Sequence, residues 1–91
     1  MASDGDIEAT ILALLQARAA TASICPSEVA RALAPDESAW RPLMPAVRRV
    51  AAAMASARRL RVTARGVDVD ASDVHGPIRL ARRDPRGQDP S

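Results

Sequence analysis

The hydrophobic positions first fall at helical spacing. Ile7, Ile11, Leu14 and Leu15, with the stem of Arg18, repeat at i, i+4, i+7 and i+8, which predicts an amphipathic helix over residues 4–20. Ser3 or Asp4 can cap it, and Asp6 and Glu8 lie near the positive end of its dipole. The stretch at 19–23 ends the pattern and predicts a short extended segment through Ser23 and Ile24, with Ile24 entering the core. A second helix starts at Pro26, because proline suits the first turn of a helix. Val29, Ala30 and Leu33 form its apolar face, and it stops before Pro35.

A polar connector over 35–38 leads to the longest stripe in the chain. Trp40, Leu43, Val47, Val50, Met54 and Ala57 recur at three and four residues and predict a third helix over about 38–59. Pro42 fits its first turn, but Pro45 would remove a backbone donor deeper in. The regular helix is therefore expected to begin only at 41–43, with Trp40 in a preceding turn. The period then changes to two. Leu60, Val62 and Ala64 alternate with Arg61, Thr63 and Arg65, as in a half-buried strand. Arg65-Gly66 marks a turn, residues 67–75 read as a polar loop, and Ile78 to Ala81 alternate again as a second strand. Residues 83–91 hold two prolines and no hydrophobe, and read as a disordered tail after a domain spanning 1–82.

Three helices followed by a two-stranded hairpin is the plan of a winged helix-turn-helix, an α+β fold that is mostly α. The runs SICPSEVARAL (23–33), WRPLMPAVRR (40–49) and GPIRL (76–80) also resemble a small bacterial winged-helix family, domain of unknown function 3253. The segment RLRVTARGVDVD (59–70) is similar to that family's strand and wing. The resemblance covers about residues 5–82 and implies the winged-helix fold; it implies no activity, ligand or catalytic residue.

Composition narrows the classes further. The 91 residues suit one small domain. Twenty residues are alanine, so the core rests on about two dozen larger side chains around Trp40, the one aromatic residue and an expected core anchor. A single ring argues against base-stacking modules. One cysteine, Cys25, forbids an internal disulfide and fits a reducing cytoplasm. No apolar run is long enough to span a membrane, and the acidic start lacks the basic region of a signal peptide. A cytoplasmic protein is expected.

Charge changes the picture most. All 13 cationic side chains are arginine, and the formal net charge is +2. Residues 1–37 carry −4, residues 41–65 carry +7 with no acid, and residues 66–91 carry −1. With the apolar stripe turned inward, the third helix presents Arg41, Arg48, Arg49, Ser56 and Arg59, and the wing presents Arg61 and Arg65. Arginine both reads guanine and grips phosphate. These seven residues are the expected contacts to double-stranded DNA, provided the acidic first helix faces away from the duplex.

Two other readings stand beside that one. The acidic first helix and the basic third can simply pair with each other as a solubilising face. Alternatively, Ala46, Ala53 and Ala57 let helices approach closely, in a homodimer or against another protein partner. An enzyme is not expected. Cys25 and His75 are the lone thiol and imidazole, and there is no asparagine or second histidine to orient the ring. Asp68, Asp70 and Asp73 mimic a calcium loop, but Asp73 stands where glycine is needed and Arg79 where glutamate is needed. One cysteine and one histidine cannot make a zinc site, and the four glycines form no phosphate loop. Neither a metal nor a cofactor is expected.

Overall fold

A computed structural model describes residues 3–19, 21–71 and 76–83. The tail, from residue 84 on, and His75 lie outside the described residues. The elements run α1 (Asp4–Gln16), β1 (Ser23–Ile24), α2 (Pro26–Leu33), α3 (Glu37–Trp40), a 3-10 turn (Arg41–Leu43), α4 (Met44–Ser56), β2 (Leu60–Ala64), β3 (Val67–Asp68) and β4 (Arg79–Arg82). The fold is α+β and mostly helical, compatible with a winged-helix-like domain.

Local chemistry sets the helix ends. Ser3 caps α1 through a reciprocal box: the Asp6 amide donates to Ser3 Oγ at 3.1 Å, and the Ser3 amide donates to Asp6 Oδ2 at 3.2 Å. The helix stops at Gln16, four residues short of the expected end, where every described residue from Gln16 to Ala19 is exposed and adds no apolar burial. In α2, Pro26 occupies the first turn, and the Cys25 amide donates to Glu28 Oε2 at 2.9 Å.

The expected third helix is divided by its two prolines. Pro42 and Pro45 lack the donors that would bond back one turn, so the chain rises through the 3-10 turn before regular α-helix begins at Met44. Pro45 thereby falls in the first turn of α4, where its missing donor costs nothing. The other end closes earlier than Arg59. The Arg58 amide donates to the Ala55 carbonyl and the Arg59 amide to the Met54 carbonyl, a Schellman ending with Arg58 at φ 60°.

The sheet has four antiparallel strands in the order β1-β4-β2-β3, where two were expected. Thr63 pairs with Asp68 and Ala64 with Val67, so β2 turns directly into β3. Arg65 (φ 53°) and Gly66 (φ 81°) form the two-residue connection, both left-handed, as a type I′ hairpin turn requires. β4 pairs with the other edge of β2, Val62 facing Leu80, and β1 adds beyond it, Ile24 facing Leu80.

One core joins helices and sheet. Ile7, Ile11 and Leu15 from α1 meet Val29 and Ala30 from α2, Val47, Val50, Ala51 and Met54 from α4, and Ile24, Leu60, Val62, Ile78 and Leu80 from the strands. Ile24 is fully buried, as expected. Trp40 is not a buried anchor. It is half-buried at the edge of the core, because the 3-10 turn carries α3 away from the stripe that α4 buries. Ala57 is exposed for a related reason: it lies past the last turn of α4.

Candidate nucleic-acid interface

With Val47, Val50, Ala51 and Met54 facing inward, α4 turns Pro45, Arg49, Ala53 and Ser56 to solvent, while Arg48 is half-buried. Its two central arginines are drawn to opposite sides. Arg49 reaches α1 and bonds Asp4 with both terminal nitrogens, at 3.0 and 2.9 Å. Arg48 reaches toward the sheet and donates to the Gly76 carbonyl at 3.3 Å.

On the α1 side, Glu8 also binds Arg59, the second of two ion pairs between α1 and the segment containing α4. Together they rim a shallow groove of about 250 Å³ floored by Val50, Ala53, Met54 and Ala57. This is the pairing of acidic first helix with basic third segment that charge patterning allowed. Exposed pairs of this kind contribute about 0–1 kcal/mol each. Before α4, Arg41 pairs with Glu37 and lies 5.4 Å from the Trp40 ring centroid, with Arg31 at 5.1 Å.

On the sheet side, Arg61 donates across the hairpin to Asp68, at 3.1 and 2.7 Å. Arg65 stands exposed at the hairpin tip. Arg79 spans the sheet, donating to Ser23 Oγ (2.8 Å), the Ser23 carbonyl (2.9 Å) and Cys25 Sγ (2.8 Å). Ala64, Arg65, Gly76, Pro77 and Arg79 line an open cleft of about 510 Å³ there. Arg48 reaches the same cleft through its bond to Gly76.

Most of the seven residues expected at a DNA contact have partners within the fold. Arg41, Arg49, Arg59 and Arg61 each meet a carboxylate of the chain itself. Ser56 is exposed on α4, Arg65 lines the cleft before β4, and Arg48 bonds the Gly76 carbonyl. Arg79 was missed by sequence reasoning. Its outward position in β4 was legible, but its place beside Ser23 and Cys25 depends on β1 pairing with β4. Among the described residues no three His, Cys, Asp or Glu side chains gather as a metal site, and no helix is long and apolar enough to cross a membrane.

The architecture defines the class: a small α+β domain whose helical unit carries an antiparallel sheet, compatible with a winged helix. The chain belongs to the family described as protein of unknown function (DUF3253), whose model matches residues 4–83. No curated protein matches it.

Proposed function

We propose that this domain binds double-stranded DNA through the sheet side of α4 and the hairpin tip. One observation carries the reading: Arg65 from the tip and Arg79 from β4 line the cleft at Gly76–Pro77, and Arg48 from α4 donates to the Gly76 carbonyl at its edge. A helix and a wing supplying cations to one concave surface is the arrangement that grips phosphates on either side of a groove. The α1 side of α4 is a poorer candidate, since Asp4 and Glu8 would repel a duplex there. The exposed face of α4 offers Pro45, Arg49, Ala53 and Ser56 rather than asparagine or glutamine, so contact is mainly to the backbone.

A few phosphate contacts give about micromolar, strongly salt-dependent affinity. The experiment is a titration of a labelled random duplex at about 50 and 200 mM salt. Binding at the lower salt, weakened by Arg48→Glu far more than by Arg18→Glu, is the expected result. No binding at the lower salt rejects the proposal, and equal losses in the two variants reject the assigned face.

The runner-up is a homodimer or another protein contact through the α1–α4 groove. The exposed Ala53 and Ala57 on its floor favour that reading, because they admit a close-packed helix. A dimer in light scattering at tens of micromolar, combined with indifference to DNA, would establish it instead.

A further inference from the structure

Arg18, Arg41, Arg49, Arg59 and Arg61 each meet a carboxylate of the chain. Arg79 is held differently. Its three bonds go to uncharged acceptors: Nε donates to Ser23 Oγ, Nη1 to Cys25 Sγ and Nη2 to the Ser23 carbonyl. It forms no ion pair among the described residues. The guanidinium is thus fixed at every nitrogen while its charge stays whole.

The strand register accounts for the hold. Ile24 faces Leu80 and both are fully buried, so Ser23, Cys25 and Arg79 alternate to the outer face of the sheet. Carried one residue past Ile24 and Leu80, the pairing sets Cys25 opposite Arg79, with Ser23 diagonal to it on the same face. Glu28, the acid that closes the same segment, is engaged by the Cys25 amide at 2.9 Å and by Arg18 at 3.5 Å.

A guanidinium carries one hydrogen on Nε and two on each terminal nitrogen. The bonds to Ser23 and Cys25 therefore leave one hydrogen free on each terminal nitrogen of Arg79, the number that a two-point grip on a phosphate uses. Arg79 is exposed and lines the cleft together with Arg65. An arginine fixed before its ligand arrives loses little side-chain freedom on binding.

We infer that Arg79 is a pre-set phosphate ligand in this cleft, and that Ser23 and Cys25 are positioning residues that hold its guanidinium ready for the anion. This rests on the DNA-binding reading and gives β1 a part in it, since that two-residue strand supplies Ser23.

The test combines thermal melts with duplex titrations over a salt series on the intact chain, at a temperature where the melts show every variant fully folded. Arg79→Gln should weaken binding about five- to tenfold near 100 mM salt and lower the slope of log K against log salt by about one. Ser23→Ala keeps the Arg79 charge and loses one of its anchors. It should weaken binding about threefold with the wild-type slope. Ser23→Thr keeps the hydroxyl, suits a strand and should restore the affinity. Ser3→Ala removes a hydroxyl that caps α1 instead and should leave binding unchanged. Wild-type affinity in Arg79→Gln or Ser23→Ala overturns the inference while leaving DNA binding standing. A loss in Ser23→Ala that Ser23→Thr or Ser3→Ala shares overturns it too, since the Ser23 hydroxyl would not be the cause. A wild-type chain that ignores the duplex at about 50 mM salt overturns both readings.

Discussion

Arg49 and Asp4 lie 45 positions apart in the chain and meet as a two-point ion pair, both terminal nitrogens of the guanidinium on the one carboxylate. The pair ties the middle of α4 to the first turn of α1. It also sets an acid beside the helix that would read DNA. Asp4→Asn should therefore tighten duplex binding at low salt, because it removes a repelling charge and releases a cation. Its cost in stability should be small, about 0.5–1 kcal/mol, since both partners are more than half exposed and the first-turn charge is a minor dipole contribution. Weaker binding by Asp4→Asn in the same titration would show instead that Asp4 holds Arg49 in its working position.

The start of α1 depends on Ser3. Its hydroxyl satisfies the Asp6 amide, and Asp6 returns the bond to the Ser3 amide. Ser3→Ala should cost about 1 kcal/mol in chemical denaturation. The midpoint should move and the slope should not, because the surface exposed on unfolding is nearly unchanged.

The two prolines before and within α4 should behave unlike a proline in its interior. Pro45→Ala should cost less than about 1 kcal/mol, reflecting only the freer unfolded chain, because the first turn has no donor to lose. Ala53→Pro should cost about 3 kcal/mol or more, since it removes a bond inside the helix and clashes with the turn before it. Thermal melts of both variants check the contrast; comparable losses would mean that α4 begins elsewhere.

Arg79 should matter to folding where Arg82 does not. Arg79 bridges β4 to Ser23 and Cys25 with three bonds. Arg79→Ala should lower stability by about 1–2 kcal/mol, one net hydrogen bond or slightly more after water takes the rest. Arg82→Ala should fall within about 0.5 kcal/mol, as surface substitutions away from such features do. Equal melting temperatures for the two variants would remove the bridge.

The hairpin tip needs glycine at its second position. Gly66 sits at φ 81° with open space around a would-be Cβ, so the cost of a side chain is conformational rather than steric crowding by neighbours. Gly66→Ala should destabilise the domain by about 1 kcal/mol. A neutral result would mean that the hairpin relaxes into another turn.

Much of the architecture was legible along the chain because it follows from local periodicity. Ile7, Ile11 and Leu15 had to share a face at helical spacing, and they are buried together. Leu60 and Val62 had to share a face at strand spacing, and they close the core from below. The start of α2 at Pro26 followed from proline's fixed φ, and the turn at Arg65-Gly66 from glycine's freedom to take positive φ. Less legible were the break of the long stripe into three pieces and the extra strand at Val67–Asp68. Both depend on which donors a whole turn can spare and on which edge of β2 is left open.

Charge shows the same division. The sequence alone determined that residues 41–65 carry seven arginines and no acid, and that α1 begins acidic. Only the tertiary structure decided which arginines meet which carboxylates: Arg49 with Asp4, Arg59 with Glu8, Arg61 with Asp68, and none of those acids for Arg58 or Arg65. The physical reason is range. Helical and strand periodicity is set by neighbours within a few residues. A guanidinium's partner is set within about 4 Å in space, after the chain has folded dozens of residues back upon itself.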